Sequence, residues 1–208
     1  DASRITEPAM RAEFERAARD GAPRPESHAI RAHVPAVFWS FANAWNDTFV
    51  QGVCDHAIKE ICRLYVSQAV NCNYCGNQRS VKAQALGVVE DDVLALLEFD
   101  KAERFSPRQK AALRLAEAIT WGLESSDELW AGLNAHFETP QIVELGFFIG
   151  LGRHITVEHG SPIGQHTQGV ATVFEKPTNS RQACVSLNAP LVQNVGHPNC
   201  QLLVARCF

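Results

Sequence analysis

Between residues 7 and 159 apolar positions recur at steps of three and four, so almost every segment predicts a helix. The first covers Pro8 to Arg19, with Thr6 as its cap and Gly21 just past its end. "GAPRPES" then reads as a loop. Over 34–49 the rings of Phe38, Phe41, Trp45 and Phe49 keep helical spacing, which marks a core stripe rather than a ligand cage. The next predicted helix, 55–70, gathers Ile58, Ile61, Cys62, Tyr65 and Ala69 on one face. Lys59 and Arg63 fall on a flank, and Glu60 and Leu64 lie roughly opposite.

A further helix opens at "NCNYCGNQRS" and runs to Leu86, with Gly87 as its stop. A short one covers 91–98. "SPRQ" at Ser106 is a capping box with proline at the first helical position, starting a helix to Trp121. "SSDE" at Ser125 predicts a second box and a helix to Phe137. Thr139-Pro140 starts the last one, to His159, where Gly146 and Gly150 predict close approach by another helix. No useful strand alternation precedes residue 160, so the expected class is all-α. From Gly160 charges thin out and no helical period survives. The expected organisation is a helical domain over 1–159 and an irregular C-terminal extension over 160–208.

Composition narrows the function. The chain of 208 residues is 46% hydrophobic and 20% charged, enough for one real core. A formal net charge of -4 and no basic run argue against a nucleic-acid partner. No apolar run reaches the length of a membrane span, so no membrane partner is expected. The cysteine count is seven, odd and irregularly spaced, which predicts a reducing, cytoplasmic setting rather than a disulfide scaffold.

Cys72 and Cys75 stand out within that set. A structural zinc site wants four ligands, and His197 with Cys200 is the only other short His/Cys couple, so no metal is expected. Two buried small hydrophobes is the plainer reading. A helix start favours redox chemistry instead, because its N–H groups and dipole stabilise a thiolate. Arg79 is four residues after Cys75, on the same face of the predicted helix, and would stabilise that thiolate further. Two cysteines at this spacing also close a disulfide, one attacking and the other resolving. Glu60 on the preceding helix is a candidate proton acceptor, or else the partner of Arg63, Arg79 or Lys59.

The run "EICRLYVSQAVNCNYC" resembles the signature of the alkylhydroperoxidase D-like, carboxymuconolactone decarboxylase superfamily. Its redox members carry Glu, eleven residues, C-x-x-C, three residues and His, and Glu60, Cys72 and Cys75 match in type and spacing. "HVPAVFWSFANAW" and "DELWAGLNAHFETPQIVELGFFIGLGRHI" agree as well, so the resemblance covers roughly 5–159. It implies an all-helical fold assembling as dimers, trimers or hexamers. It implies reduction of hydroperoxides or disulfides, with no cofactor and with a thiol protein as reductant. Cys75 would be peroxidatic, Cys72 resolving, and Glu60 part of a proton relay.

Arg79 departs from that pattern by standing where the relay histidine is placed. Arginine holds its proton in proteins, so it cannot shuttle one. His56, His154 and His159 are the candidate replacements. The alternative function is a cofactor-free decarboxylase, lyase or isomerase acting on a small organic acid. Arg79 would there clamp the carboxylate with its planar fork.

Overall fold

The computed structural model describes residues 5–158, which form α-helices with short 3-10 and π turns and no strand. The helices are α1 (Pro8–Asp20), α2 (Pro25–Arg31), α3 (Pro35–Trp45), α4 (His56–Ala69), α5 (Asn73–Gly76), α6 (Val81–Ala85), α7 (Glu90–Ala95), α8 (Pro107–Trp121), α9 (Asp127–Asn134) and α10 (Thr139–Glu158). The expected extension over 160–208 lies outside the described residues, with His159, Cys184, Cys200 and Cys207.

Helix α4 is the axis of the fold. It packs against α8 and α10 and touches α5, α6 and α7. Ile58, Ile61, Cys62, Leu64, Tyr65 and Val66 are all buried along it. So are Lys59, Glu60 and Arg63, which the sequence placed on a flank and on the opposite side. A helix packed on every side has no wet face, and its charges must find partners inside. Both buried pairs follow from this. Lys59 reaches Glu144 on α10 at 2.9 Å, and Arg63 reaches Glu60 at 2.7 Å.

Glu144 fixes a second joint. Its carboxylate accepts the backbone N–H groups of Val53 and Cys54, beyond the π-helical turn Asn46–Gln51 that extends α3. Gly52 sits at φ 51°, and a β-carbon there would lie 2.4 Å from Glu144 Oε1. Only glycine accommodates both constraints.

Several boundaries differ from expectation. Glu7, not Thr6, precedes α1, and it makes no side-chain cap. "PESHAIR", read as loop, is α2, begun by Pro25 at the first position. The helix expected from Cys72 to Leu86 is two helices, because Asn77–Ser80 break it and Ser80 caps α6 through its hydroxyl. Ser126 rather than Ser125 caps α9, accepting the Leu129 N–H. At Ser106 both hydrogen bonds of the capping box are present. Gly146 and Gly150 have no atom of another element within 4 Å of a β-carbon, so among the described residues no helix uses them for close approach. No described helix is long and apolar enough to cross a membrane.

Candidate functional site

The end of α4 delivers the cysteine pair. Asn71 adopts a left-handed conformation at φ 55°, a state asparagine tolerates better than most residues. The Cys72 N–H then returns to the Ser67 carbonyl at 2.8 Å, closing the helix end. Cys72 becomes the N-cap of α5, and its sulfur accepts the Cys75 N–H at 3.4 Å. The two sulfurs stand 2.9 Å apart without a disulfide bond between them, and both residues are 5% exposed. Trp45, Phe49, Phe148 and Ala22 enclose the pair in one apolar cluster.

The electrostatics of Cys75 run against a ready thiolate. Its contact with Cys72 and its burial push the thiol well above its ordinary range. The Arg63 and Arg31 guanidinium groups pull in the opposite direction, by less.

Arg79 is elsewhere because the helix that would have aligned it with Cys75 ends at Gly76. Its fork grips Glu90 at 2.7 and 2.9 Å, and its Nη1 donates to the Gly76 and Gln78 carbonyls. It therefore closes the C-terminal end of α5 and ties it to α7. The guanidinium expected beside Cys75 is supplied by Arg63 instead, one turn after Glu60. Arg63 Nη1 donates to the Cys75 carbonyl at 3.0 Å and Nη2 to the Gln78 carbonyl at 2.9 Å. Sequence reasoning placed Arg63 on a flank; its spacing from Glu60 was the available signal.

Glu60 is 1% exposed and fully engaged. Both its oxygens accept from Arg63, and Oε1 also accepts the Ser80 N–H at 2.9 Å. Of the alternatives open in the sequence, the pairing with Arg63 is the one present. His56 joins the same region through Ser80. Its Nδ1 meets the Phe49 carbonyl at 2.8 Å, so that nitrogen must be the donor. Its Nε2 then accepts the Ser80 hydroxyl at 2.7 Å, and burial lowers its pKa toward the neutral form. His154 is exposed on α10.

A cavity of about 20 Å³ touches Cys75, lined also by Arg63, Ser67, Gln78, Trp45 and Pro23, with Gly152 and Ile155 of α10. That is room for one molecule the size of water. Among the described residues no cluster of three His, Cys, Asp or Glu side chains is placed to hold a metal. Cys54 and Cys62 are buried and displaced from this site. Burial pushes Cys54 up to about 11 and Cys62 well above its usual range.

Known proteins share this frame. The chain is 29% identical over 101 residues to the uncharacterized protein YdfG of Bacillus subtilis strain 168, spanning 48% of this chain and 69% of YdfG. It is 26% identical over 123 residues to the uncharacterized protein YnjA of Escherichia coli K12, spanning 59% and 67% of the two chains. Among solved structures, a protein of unknown function from Agrobacterium tumefaciens, suggested to be the antioxidant defence protein AhpD, superposes with a TM-score of 0.56 at 19% identity. That match covers 64% of this chain and 92% of the other. The debrominase Bmp8, in a variant bound to 2,3,4-tribromopyrrole, superposes with a TM-score of 0.62 at 18% identity over 76% and 87% of the chains. Residues 35–118, from the start of α3 into α8, match the model of the Carboxymuconolactone decarboxylase family. Over residues 35–118 the chain is thus similar to the Carboxymuconolactone decarboxylase family, and its all-helical frame is the fold of these solved neighbours.

Proposed function

We propose that this protein is a thiol-dependent oxidoreductase that reduces a hydroperoxide, or a disulfide, by cycling Cys72 and Cys75 between dithiol and disulfide. The observation that carries the reading is the 2.9 Å contact of the two sulfurs with Cys75 on the cavity wall. A neighbour suggested to act in antioxidant defence and another that is a debrominase support reductive chemistry on this frame.

The steps balance as follows. Cys72, whose sulfur is capped by the Cys75 N–H, holds the anion and takes the Cys75 proton. Cys75 sulfur attacks the distal peroxide oxygen; an S–O bond forms, the O–O bond breaks, and the leaving oxygen departs as water or alcohol. Cys72 sulfur, its proton returned to that leaving group, attacks the Cys75 sulfenic acid. An S–S bond forms, the S–O bond breaks, and hydroxide leaves and takes a solvent proton. An external thiol then reduces the disulfide. Glu60 enters as the anchor of Arg63, which holds the Cys75 and Gln78 carbonyls, and the relay passes from sulfur to sulfur.

The decarboxylase or lyase alternative relied on Arg79 as a carboxylate clamp, and that fork is filled by Glu90. The test is a single turnover. Reduced protein mixed with stoichiometric hydrogen peroxide loses the Cys72 and Cys75 thiols together, followed by mass spectrometry. Cys75→Ser must abolish the loss at Cys72; equal loss in that variant would end the assignment.

A further inference from the structure

The loop between α1 and α2 runs over the cysteine pair. It belongs to a segment that precedes the family match at residue 35. Pro23 forms part of the cavity wall beside Cys75. Ala22 is 1% exposed and packs in the same apolar cluster as both cysteines. Two hydrogen bonds from the helical body hold the loop down. Trp45 Nε1 donates to the Ala22 carbonyl at 3.2 Å, and Gln78 Oε1 accepts the Arg24 N–H at 3.1 Å. Gly21, at φ 76°, sits so close that a β-carbon would lie 2.3 Å from the Arg79 carbonyl oxygen. The Arg24 guanidinium also stands over the Tyr74 ring, between the two cysteines in sequence, 5.3 Å from its centre.

Each of these contacts lands within the C-x-x-C segment or on a residue that packs against it. The loop is a wall of the redox site, and its position decides how large a molecule reaches Cys75. With the wall in place the space beside Cys75 is about 20 Å³. A water needs about 10–15 Å³ on that measure, so a peroxide without a bulky substituent fits with little adjustment and a large organic one does not. We infer that Gly21–Arg24 is the specificity-determining wall of this site, selecting a hydroperoxide as small as hydrogen peroxide over bulky organic hydroperoxides. The substrate class rests on the redox reading above; the wall itself does not.

The experiment therefore has two arms, both on the full chain. In the first, native reduced protein is alkylated with iodoacetamide or with a polyethylene-glycol maleimide, and labelling at Cys75 is followed by mass spectrometry. After correction for each reagent's intrinsic rate on a free thiol, wild type favours the small reagent by roughly tenfold or more, a steric penalty of about 1.4 kcal/mol. Pro23→Gly loosens the loop by raising its backbone freedom, and Trp45→Phe deletes the bond to the Ala22 carbonyl while keeping an aromatic ring. In either variant, judged folded by circular dichroism, the preference falls by roughly threefold or more. Equal corrected rates in wild type, or an unchanged preference in both folded variants, overturn the wall. In the second arm hydrogen peroxide and cumene hydroperoxide are compared for thiol loss. Wild type consumes the first faster, and the variants narrow the gap. A wild type that takes both equally overturns the size selection. If neither peroxide oxidises the pair, the redox reading falls and the selection of a small hydroperoxide falls with it. The labelling preference then decides the wall alone.

Discussion

Arg63 holds Glu60 with a two-point grip, Nε to Oε2 at 2.7 Å and Nη2 to Oε1 at 2.8 Å, inside a helix with no exposed face. The remaining donors reach forward to the Cys75 and Gln78 carbonyls. One ion pair thus connects the central helix to the C-x-x-C turn. Removing one partner strands a charge in the core, and Arg63→Met or Glu60→Leu alone should cost about 3–5 kcal/mol by urea unfolding. The double variant should cost clearly less than the sum of the two, because no orphaned charge remains. Additive costs would show that the pair is not coupled.

The same guanidinium lowers the Cys75 thiol, against larger effects that raise it. Loss of the positive charge in Arg63→Gln should therefore move the alkylation profile of Cys75 to higher pH. Labelling at a fixed pH slows, while Cys54, pushed up to about 11 by burial, stays unreactive near neutrality in both proteins. A profile that does not move would remove Arg63 from the electrostatics of the site.

Arg79 makes the opposite prediction. Its partner Glu90 is 64% exposed, and exposed pairs contribute about 0–1 kcal/mol. Arg79→Lys should leave both stability and the pH profile of Cys75 nearly unchanged. A collapse of thiol reactivity in this variant would restore the role that the sequence spacing suggested.

These contrasts show which features were readable from the chain. The Ser106 capping box was legible because both its bonds are local, between Ser106 and Gln109. The cysteine pair and its distance from Glu60 were legible as a motif. The break at Asn77–Ser80 was not, because Ala83 and Leu86 continue the apolar rhythm across it. Ser80 was the overlooked signal, a serine cap without the acidic partner that makes a box conspicuous. The burial of Lys59, Glu60 and Arg63 was also hidden, since charged residues on a helix ordinarily mark its wet side. The contact of Gly21 with Arg79 joins residues far apart in sequence, which no local pattern encodes.

Two glycines should respond to alanine with opposite signs. At Gly52 the added carbon meets a Glu144 carboxylate that Lys59, Val53 and Cys54 hold in place, and the backbone is left-handed. Gly52→Ala should destabilise by about 1–3 kcal/mol. At Gly146, inside α10, the added carbon meets nothing within 4 Å, so Gly146→Ala should stabilise by about 0.5–1 kcal/mol through helix propensity. Thermal midpoints of the two variants check the pair, and a gain at Gly52 would mean that Glu144 does not hold its place.

His56 gives the fold a dependence on pH with a defined sign. Burial lowers its folded pKa, and the bond to the Phe49 carbonyl offsets this only in part. The unfolded histidine takes up its proton near the ordinary value of about 6.5, while the folded one waits for lower pH. Its contribution to stability is therefore complete above about pH 6.5 and is lost as pH falls through the depressed folded value. Protonation would also set an Nε2–H against the Ser80 hydroxyl, which now donates to that nitrogen and accepts from Ala83. Urea midpoints measured from about pH 8 down to 5 should fall in wild type. The fall should be shallower in His56→Gln, which starts lower because the Phe49 and Ser80 bonds are weakened. A slope identical in both proteins would mean that His56 does not titrate in the fold's stability, and that the histidine nearest the Glu60 network is a silent core residue.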